Sequence, residues 1–180
     1  MRCFLAIELP EEIRKELSRL QKDITDSNAK MKLVEHENLH LTLKFFGELD
    51  DYRVNKIKET LKKIKFNKFR ATLGVMGVFP SADFIRVVWV GIEPSDKVKE
   101  LHQEIDNLLG KEKFSKDKAF ESHVTLARVK FVKNKQELIN KLKETKIKPH
   151  GLEISSFVLK KSTLTEKGPV YEDIARFDLT

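Results

Sequence analysis

A His-x-Thr-Leu tetrapeptide occurs twice in this chain, as His40-Leu41-Thr42-Leu43 and as His123-Val124-Thr125-Leu126. Apolar and polar residues alternate around the first copy, and this period of two predicts a half-buried β-strand. Residues i and i+2 of a strand share a face, so each His is expected beside its Thr while the leucines face the core. The repeat therefore predicts two strands that present the same pair of side chains to one cleft.

The two faces of the first strand are expected to differ in chemistry. The predicted core side carries the apolar residues Leu39, Leu41, Leu43 and Phe45, and the predicted cleft side carries His40, Thr42, Lys44 and Phe46. An imidazole, a hydroxyl and an ammonium would then stand in a row. In a chain of this composition, chance would place x-Thr-Leu after two of the five histidines in fewer than about one sequence in a thousand. We therefore interpret the two tetrapeptides as a functional pair.

Length and charge narrow the class of protein. The chain has 180 residues, enough for one domain or for two small lobes that share a core. Its 35 basic and 28 acidic residues give a formal net charge of +7, which favours an anionic partner such as RNA, DNA, a nucleotide or an acidic membrane. Surfaces rich in Lys and Glu are also typical of thermophilic proteins, and both interpretations are compatible.

Cys3 is the single cysteine, which excludes an internal disulfide and a zinc site of four thiolates. This predicts a reducing, cytoplasmic setting. The apolar run that ends at Pro10 is too short for a signal peptide or a membrane span, so no membrane association is expected and the run is predicted to be a buried strand.

Hydrophobic periodicity predicts four helices and eight strands. The helices are expected from Pro10 to about Ser27, from Asp50 or Asp51 to Ile64, from Ser95 to Leu109, and from Asn134 to Thr145. The strands are expected at Arg2–Leu9, Met31–Val34, His40–Gly47, Phe69–Phe79, Phe84–Ile92, Ser122–Phe131, Leu152–Thr165 and Val170–Leu179.

The order of these elements predicts the α+β class. Strands often follow strands directly, which favours antiparallel sheet over a doubly wound parallel sheet. Each half of the chain holds two helices and one motif strand, so residues 1–180 are expected to form a single bilobal domain. The two pseudo-symmetric lobes would pack their helices outside and line a central cleft with the motif strands. The loop from Lys111 to Glu121 leads directly into His123 and is expected to be functional.

Two imidazoles with two hydroxyls suit phosphodiester chemistry that needs no metal. One neutral His removes a proton from the attacking water or hydroxyl, and one protonated His donates a proton to the leaving oxygen. Thr42 and Thr125 are expected to donate hydrogen bonds to the phosphate oxygens. Because the two motifs are nearly interchangeable, these residues alone leave open whether His40 or His123 is the acid.

A competing motif overlaps the first copy, because His36-Glu37-Asn38-Leu39-His40 fits the zinc-binding pattern H-E-x-x-H. That pattern needs a helix to place both imidazoles on one face. His40 instead begins an alternating strand, so we expect no metal site.

For other polar residues the sequence pattern says less about a functional role. Arg128 lies on the opposite strand parity from His123, so it contacts phosphate only if the strand bulges or ends near Ala127. His102 is expected to be solvated on the third helix. The lysines of the second and fourth helices are expected to form solvated faces, with an RNA track as the alternative: Lys56, Lys62, Lys63, Lys141 and Lys143.

The doubled motif resembles the RNA 2′,3′-cyclic phosphodiesterase family, also called 2′-5′ RNA ligases, within the two-histidine phosphoesterases. The resemblance covers nearly the whole chain. It extends over the segments Arg2–Ile7, Asn38–Glu48, Phe79–Pro80, Arg86–Gly91, His123–Arg128 and Gly168–Tyr171. One departure is Ser122, where family members often have Pro.

The resemblance implies a bilobal α+β fold with pseudo-twofold symmetry and one motif from each lobe in a central groove. It implies hydrolysis of RNA 2′,3′-cyclic phosphate ends, for example of tRNA fragments, to 2′-phosphomonoesters without metal or another cofactor. His40 would be the proton donor and His123 the proton acceptor, with Thr42, Thr125 and Arg128 binding substrate. A monomer is expected. The alternatives are a physiological RNA ligase and an RNA-binding module in which the histidines have no catalytic role.

Overall fold

The computed structural model describes all residues from 1 to 180 and confirms the predicted α+β class. Nine strands and four helices follow one another in the order β1 (Arg2–Glu8), α1 (Glu11–Thr25), β2 (Ala29–Leu33), β3 (His40–Glu48), α2 (Asp51–Leu61), β4 (Phe69–Pro80), β5 (Ile85–Glu93), α3 (Ser95–Lys111), β6 (His123–Val132), α4 (Lys135–Glu144), β7 (Gly151–Ile154), β8 (Ser156–Thr165) and β9 (Gly168–Asp178). None of the four helices combines the length and the apolar composition that a membrane-spanning helix requires.

All nine strands belong to one sheet, and every pairing in it is antiparallel. The strand order is β7-β4-β5-β6-β3-β1-β8-β9, with β2 paired to β6 beside this path. The motif strands β3 and β6 are neighbours at the centre of the sheet. They pair at Leu41 and Val124, the middle residue of each His-x-Thr, so a pseudo-twofold axis relates the two motifs there.

One core extends under both halves of the sheet. α1 buries Ile13, Leu17, Leu20 and Ile24, which the helical period of 3.6 places on one face, and α3 buries Val98, Leu101, Ile105 and Leu109. These stripes pack on the face of the sheet that carries Leu41 and Val124. Because successive residues of a strand point to opposite faces, the motif histidines and threonines are left on the face without helices.

The prediction of one strand from Leu152 to Thr165 is wrong, because the structure has two strands here, β7 and β8, separated at Ser155. β7 pairs with β4 in one half of the sheet, whereas β8 pairs with β1 and β9 in the other half. The backbone N–H of Leu179 donates to the Ser155 carbonyl at 2.8 Å, which ties this crossing to the end of the chain. Ser155 carries the chain from one lobe to the other.

Candidate active site

The pairing of Leu41 with Val124 brings the four polar motif residues together at the floor of one cleft. By this antiparallel register His40 lies beside Thr125, and Thr42 lies beside His123. All four side chains are partly exposed to a cleft of about 780 Å³. The predicted residues His40, Thr42, His123 and Thr125 therefore share one site, arranged as two equivalent pairs around the pseudo-twofold axis.

The two imidazoles are oriented in the same way. His40 Nδ1 lies 2.6 Å from the carbonyl oxygen of Asn38, and His123 Nδ1 lies 2.8 Å from that of Glu121. A carbonyl oxygen only accepts, so Nδ1 is the protonated nitrogen of each ring. This tautomer leaves Nε2 as the reactive atom. His40 Nε2 lies 2.9 Å from the Thr42 hydroxyl.

Aromatic side chains surround both histidines. The His40 ring is 5.1 Å from Phe4 and 5.5 Å from Tyr171, measured between ring centroids. The His123 ring is 4.9 Å from Phe79. Burial against these rings lowers the pKa of His40 to about 4 and lowers the pKa of His123, because removing water disfavours the charged imidazolium. Both rings are therefore neutral at pH 7 in the free protein.

Arg128 projects into the cleft because β6 bulges, as the sequence requires for contact with phosphate. Thr125 pairs with Trp89 of β5, but Ala127 pairs with the next residue, Val88, so one residue of β6 is extra. Leu126 and Ala127 are consequently both buried, and Arg128 returns to the face of His123 and Thr125. The bulge reverses the parity that would have pointed Arg128 away from the cleft.

The equivalent bulge in β3 contradicts the predicted placement of Lys44 and Phe45. Ala6 of β1 pairs with Thr42, but Leu5 pairs with Lys44, so Leu43 is the extra residue. Phe45 is 68% exposed at the cleft and does not anchor the strand in the core. Lys44 turns to the core side and is 4% exposed. Phe45 thus occupies the position in the first motif that Arg128 occupies in the second.

Lys44 is the cation of a buried ionic cluster that ties β3 to α3 and to the following loop. Its ammonium lies 2.6 Å from Asp106 and 3.0 Å from Asp117. The other carboxylate oxygen of Asp117 lies 2.9 Å from Nε2 of His102. His102, Asp106 and Asp117 have the spacing of a metal site, and here the Lys44 ammonium supplies the positive charge.

The prediction that His102 is solvated is wrong, because its ring is buried and stacks on Phe120 at 4.1 Å. Phe120 precedes Glu121, whose carbonyl orients His123. The loop from Glu112 to Ser122 is therefore held against α3 at Asp117 and Phe120. Residues 117–121 of this loop line the cleft, and its functional role stays a prediction.

The H-E-x-x-H segment does not form the helix that a zinc pair needs. His36–Asn38 is a single turn of 3-10 helix, and His40 is the first residue of β3. The His36 ring lies 2.8 Å from the Ser18 hydroxyl and 3.0 Å from the Glu11 carboxylate. His36 and His40 are engaged by different groups.

Several residues around the histidines are not predicted by any local pattern, although they lie in segments that carry the family resemblance. Phe4 and Tyr171 come from β1 and β9, and both contact the ring of His40. Trp89 stacks on Phe79 at 5.0 Å behind His123. A side chain at Gly77 would place its Cβ 2.3 Å from the Trp89 ring, so the glycine is needed for this close approach. In the sequence this close approach is indicated only by a glycine between two apolar residues, Met76 and Val78.

Comparison with known proteins agrees with this geometry. The family model described as LigT like Phosphoesterase matches the chain twice, over residues 7–89 and 90–171, so each match holds one His-x-Thr motif. The chain belongs to this family. The two matches correspond to the two halves that the pseudo-twofold axis relates.

Relatives of similar length support the assignment to this phosphoesterase family. The chain is 39% identical over 176 residues to an RNA 2′,3′-cyclic phosphodiesterase of Methanocaldococcus jannaschii, covering 97% of this chain and 98% of that protein. It is 33% identical over 174 residues to the protein of the same name from Thermotoga maritima, covering 96% and 92% of the two chains.

Solved structures share the fold over nearly the whole chain. A Thermus thermophilus protein, TT0787, has a TM-score of 0.76 at 29% identity, with 99% of this chain and 97% of that chain covered. E. coli LigT in complex with phosphate has a TM-score of 0.75 at 25% identity, with the same coverage. Another crystal structure of E. coli LigT contains 3′-AMP. The predicted bilobal architecture is therefore that of its family.

Proposed function

We propose that this protein hydrolyses RNA 2′,3′-cyclic phosphate ends to 2′-phosphomonoesters. The observation that carries the proposal is the pair of histidines at one cleft floor, each holding its Nδ1 proton on a backbone carbonyl and leaving Nε2 reactive. Curated relatives named RNA 2′,3′-cyclic phosphodiesterase over almost the full length support this substrate. Complexes of E. coli LigT with phosphate and with 3′-AMP support a site for phosphate and nucleotide.

In the proposed reaction His123 is the base and His40 is the acid. Water attacks phosphorus as its proton passes to Nε2 of His123. The bond from phosphorus to O3′ breaks, and O3′ takes the proton from Nε2 of His40. The phosphate stays on O2′, and the two protonation states are exchanged at the end of the turnover. Ligation would be the same forward step with a 5′-hydroxyl as the nucleophile in the place of water, and it would leave a 2′-5′ linkage and a free 3′-hydroxyl.

Three side chains are proposed to bind the phosphate. Thr42 and Thr125 stand beside the two imidazoles and donate hydrogen bonds to the non-bridging oxygens. Arg128, on the same face two strand positions beyond Thr125, supplies a positive charge. These residues stabilise the charge that develops on phosphorus, so we propose that no metal or other cofactor takes part. Both motifs come from one chain, which is consistent with an active monomer.

The low pKa of His40 gives the phosphate a second role. At pH 7 this imidazole is neutral in the free protein, because burial lowers its pKa to about 4. An acid must be protonated before it donates. We propose that the negative charge of the bound cyclic phosphate raises the pKa of His40, so that the proton enters with the substrate.

The direct test is incubation of an RNA oligonucleotide that ends in a 2′,3′-cyclic phosphate with the protein in excess EDTA. We expect conversion to an oligonucleotide that ends in a 2′-phosphomonoester. A 3′-phosphate product would contradict the assigned leaving oxygen, and the absence of any phosphomonoester would contradict the proposed activity. A rate that EDTA abolishes and zinc restores would contradict the metal-free mechanism.

The lowered pKa values predict an acidic optimum for kcat/KM on this substrate. This parameter follows ionisation of the free protein, where one histidine must be protonated and the other neutral. Burial lowers both pKa values below the usual 6.5, so the competent fraction is largest below pH 6.5. From pH 6.5 to 8 we expect kcat/KM to fall, with a slope that approaches about tenfold per unit of pH, whichever histidine is the acid. A flat or rising profile over this range would contradict the two-histidine mechanism.

A further inference from the structure

Beyond Arg128 the cleft face of the sheet continues along β6 and β2. Lys32 of β2 pairs with Arg128, and Lys30 pairs with Phe131. Directly opposite residues of an antiparallel pair project to the same face of a sheet. Because Arg128 lines the cleft, Lys32 and Lys30 project to the cleft side, and so does Phe131. We call Lys30, Lys32 and Phe131 the β2–β6 strip.

Burial supports this assignment of faces. Met31 and Leu33 pack against the core, while Lys30 and Lys32 are exposed. Val129 is buried, whereas Phe131 is 63% exposed after a second register shift between Lys30 and Met31. The apolar residues of β2 and the start of β6 thus face the helices. The cationic and aromatic side chains face the open side.

The charges of this strip are not neutralised within the protein. No carboxylate lies within 4.0 Å of Lys30, Lys32 or Arg128. Other lysines of the same sheet, Lys44 and Lys160, each contact two carboxylates. Cations along a groove together with an exposed aromatic ring are the two components of single-stranded nucleic-acid sites, where cations follow the phosphates and rings stack on bases.

We propose that the β2–β6 strip binds the nucleotides that precede the terminal cyclic phosphate, with Lys30 and Lys32 on phosphates and Phe131 stacked on a base. The proposal rests on the proposed function, since it requires the RNA end to lie between the two histidines. An RNA chain that leaves this end past Arg128 meets Lys32 first. Phe131 lies six residues beyond Thr125 on the strand, roughly 20 Å away at the rise of an extended strand.

The strip therefore assigns an oligonucleotide, and not a cyclic mononucleotide, as the preferred substrate. Removing Lys30 and Lys32 together, as Lys30→Gln/Lys32→Gln, is expected to raise KM for the oligonucleotide about tenfold, because two phosphate contacts are lost. The slope of log KM against log salt concentration should fall by about 1.4, or about 0.7 for each lysine on a single strand. For 2′,3′-cyclic AMP, KM should stay at the wild-type value, and kcat should be unchanged on both substrates.

The variant Phe131→Ala tests how much base stacking contributes to oligonucleotide binding, separately from the contribution of the lysine charges. We expect KM for the oligonucleotide to rise about tenfold from the lost stacking, while the salt slope stays at the wild-type value. The matched control is Lys65→Gln/Lys68→Gln, which removes the same charge from two exposed lysines between α2 and β4 and outside the cleft lining. Its KM for either substrate should equal that of wild type.

Two results would overturn the proposal. One is an oligonucleotide KM that changes no more in Lys30→Gln/Lys32→Gln than in the control. The other is an equal change for oligonucleotide and mononucleotide. If wild type hydrolyses neither substrate, the proposed function fails. Fluorescence anisotropy with an oligonucleotide that ends in a 2′-phosphate then decides on the strip separately: weaker binding by Lys30→Gln/Lys32→Gln than by the control supports it, and equal binding rejects it.

Discussion

Replacing His40 or His123 by alanine is expected to lower kcat for a cyclic-phosphate oligonucleotide by about 10²–10⁴-fold, or ~3–5.5 kcal/mol of transition-state stabilisation. Each substitution removes one reactive Nε2 from the cleft floor while the backbone pairing at Leu41 and Val124 remains. Because the acid and the base act on the same phosphorus, loss of either is expected to be severe. Single-turnover rates with saturating protein measure this step without product release.

A matched control for these variants is His36→Ala. His36 lies four residues before His40 but contacts Ser18 and Glu11 and is absent from the cleft lining. Its kcat should stay within about twofold of wild type. Wild-type rates for His40→Ala and His123→Ala would show that the two histidines have no catalytic role. Absence of turnover in wild type and variants alike, with RNA binding intact in all of them, would support an RNA-binding module without catalysis.

Lys44→Met is expected to lower the free energy of unfolding by about 3–5 kcal/mol, because it removes the cation from a buried ionic cluster. Asp106 is 6% exposed, and without the ammonium its carboxylate would face Asp117 with no positive partner at 2.6–3.0 Å. The loop that carries Phe120 and Glu121 is held at Asp117, so the loss should also reach the cleft. Denaturant unfolding followed by Trp89 fluorescence measures it.

Lys56→Met is the matched control for Lys44→Met. Lys56 forms a single ion pair with Glu112 at 2.8 Å, and its side chain is 41% exposed. Surface pairs of this kind contribute about 0–1 kcal/mol, so we expect a small change. Equal losses in the two variants would show that the cluster at Lys44 adds nothing beyond an ordinary surface ion pair.

The sequence predicted most of the scaffold because hydrophobic period and turn chemistry are local. The sequence predicted that the second helix begins at Asp50 or Asp51, and in the structure the Asp50 side chain caps α2 by accepting from the backbone N–H of Arg53 at 2.7 Å. The doubled His-x-Thr was enough to predict a shared cleft. The pseudo-symmetric pairing of Leu41 with Val124 explains why the two copies meet.

The alternation of residues along a strand could not predict which face of the sheet the side chains beyond each motif occupy. A bulge adds one residue to a strand and moves every later side chain to the other face. The bulges at Leu43 and Leu126 therefore sent Phe45 to the cleft, buried Lys44 and exposed Arg128. Nothing local marks the bulge in β3, because the alternation of apolar and polar residues continues through Leu43. In β6 the adjacent apolar residues Leu126 and Ala127 interrupt the alternation at the bulge.

Contacts between distant segments were equally hidden. Tyr171 reaches His40 because β9 pairs with β8 and β8 with β1, and no local pattern encodes that order. His102 was assigned to a solvated helix face because the helix alone does not show that Phe120 returns to cover it. In both cases a neighbour that comes from another part of the chain decides the environment.

The central claim is that His40 and His123 act on one phosphate as a unit. The most direct test compares single-turnover rates of His40→Ala, His123→Ala and the double variant on a cyclic-phosphate oligonucleotide. Groups that act as a unit give non-additive losses, so the double variant should be no more than about tenfold slower than the slower single variant. If the two losses multiply, the histidines act independently and the proposed acid–base pair is wrong.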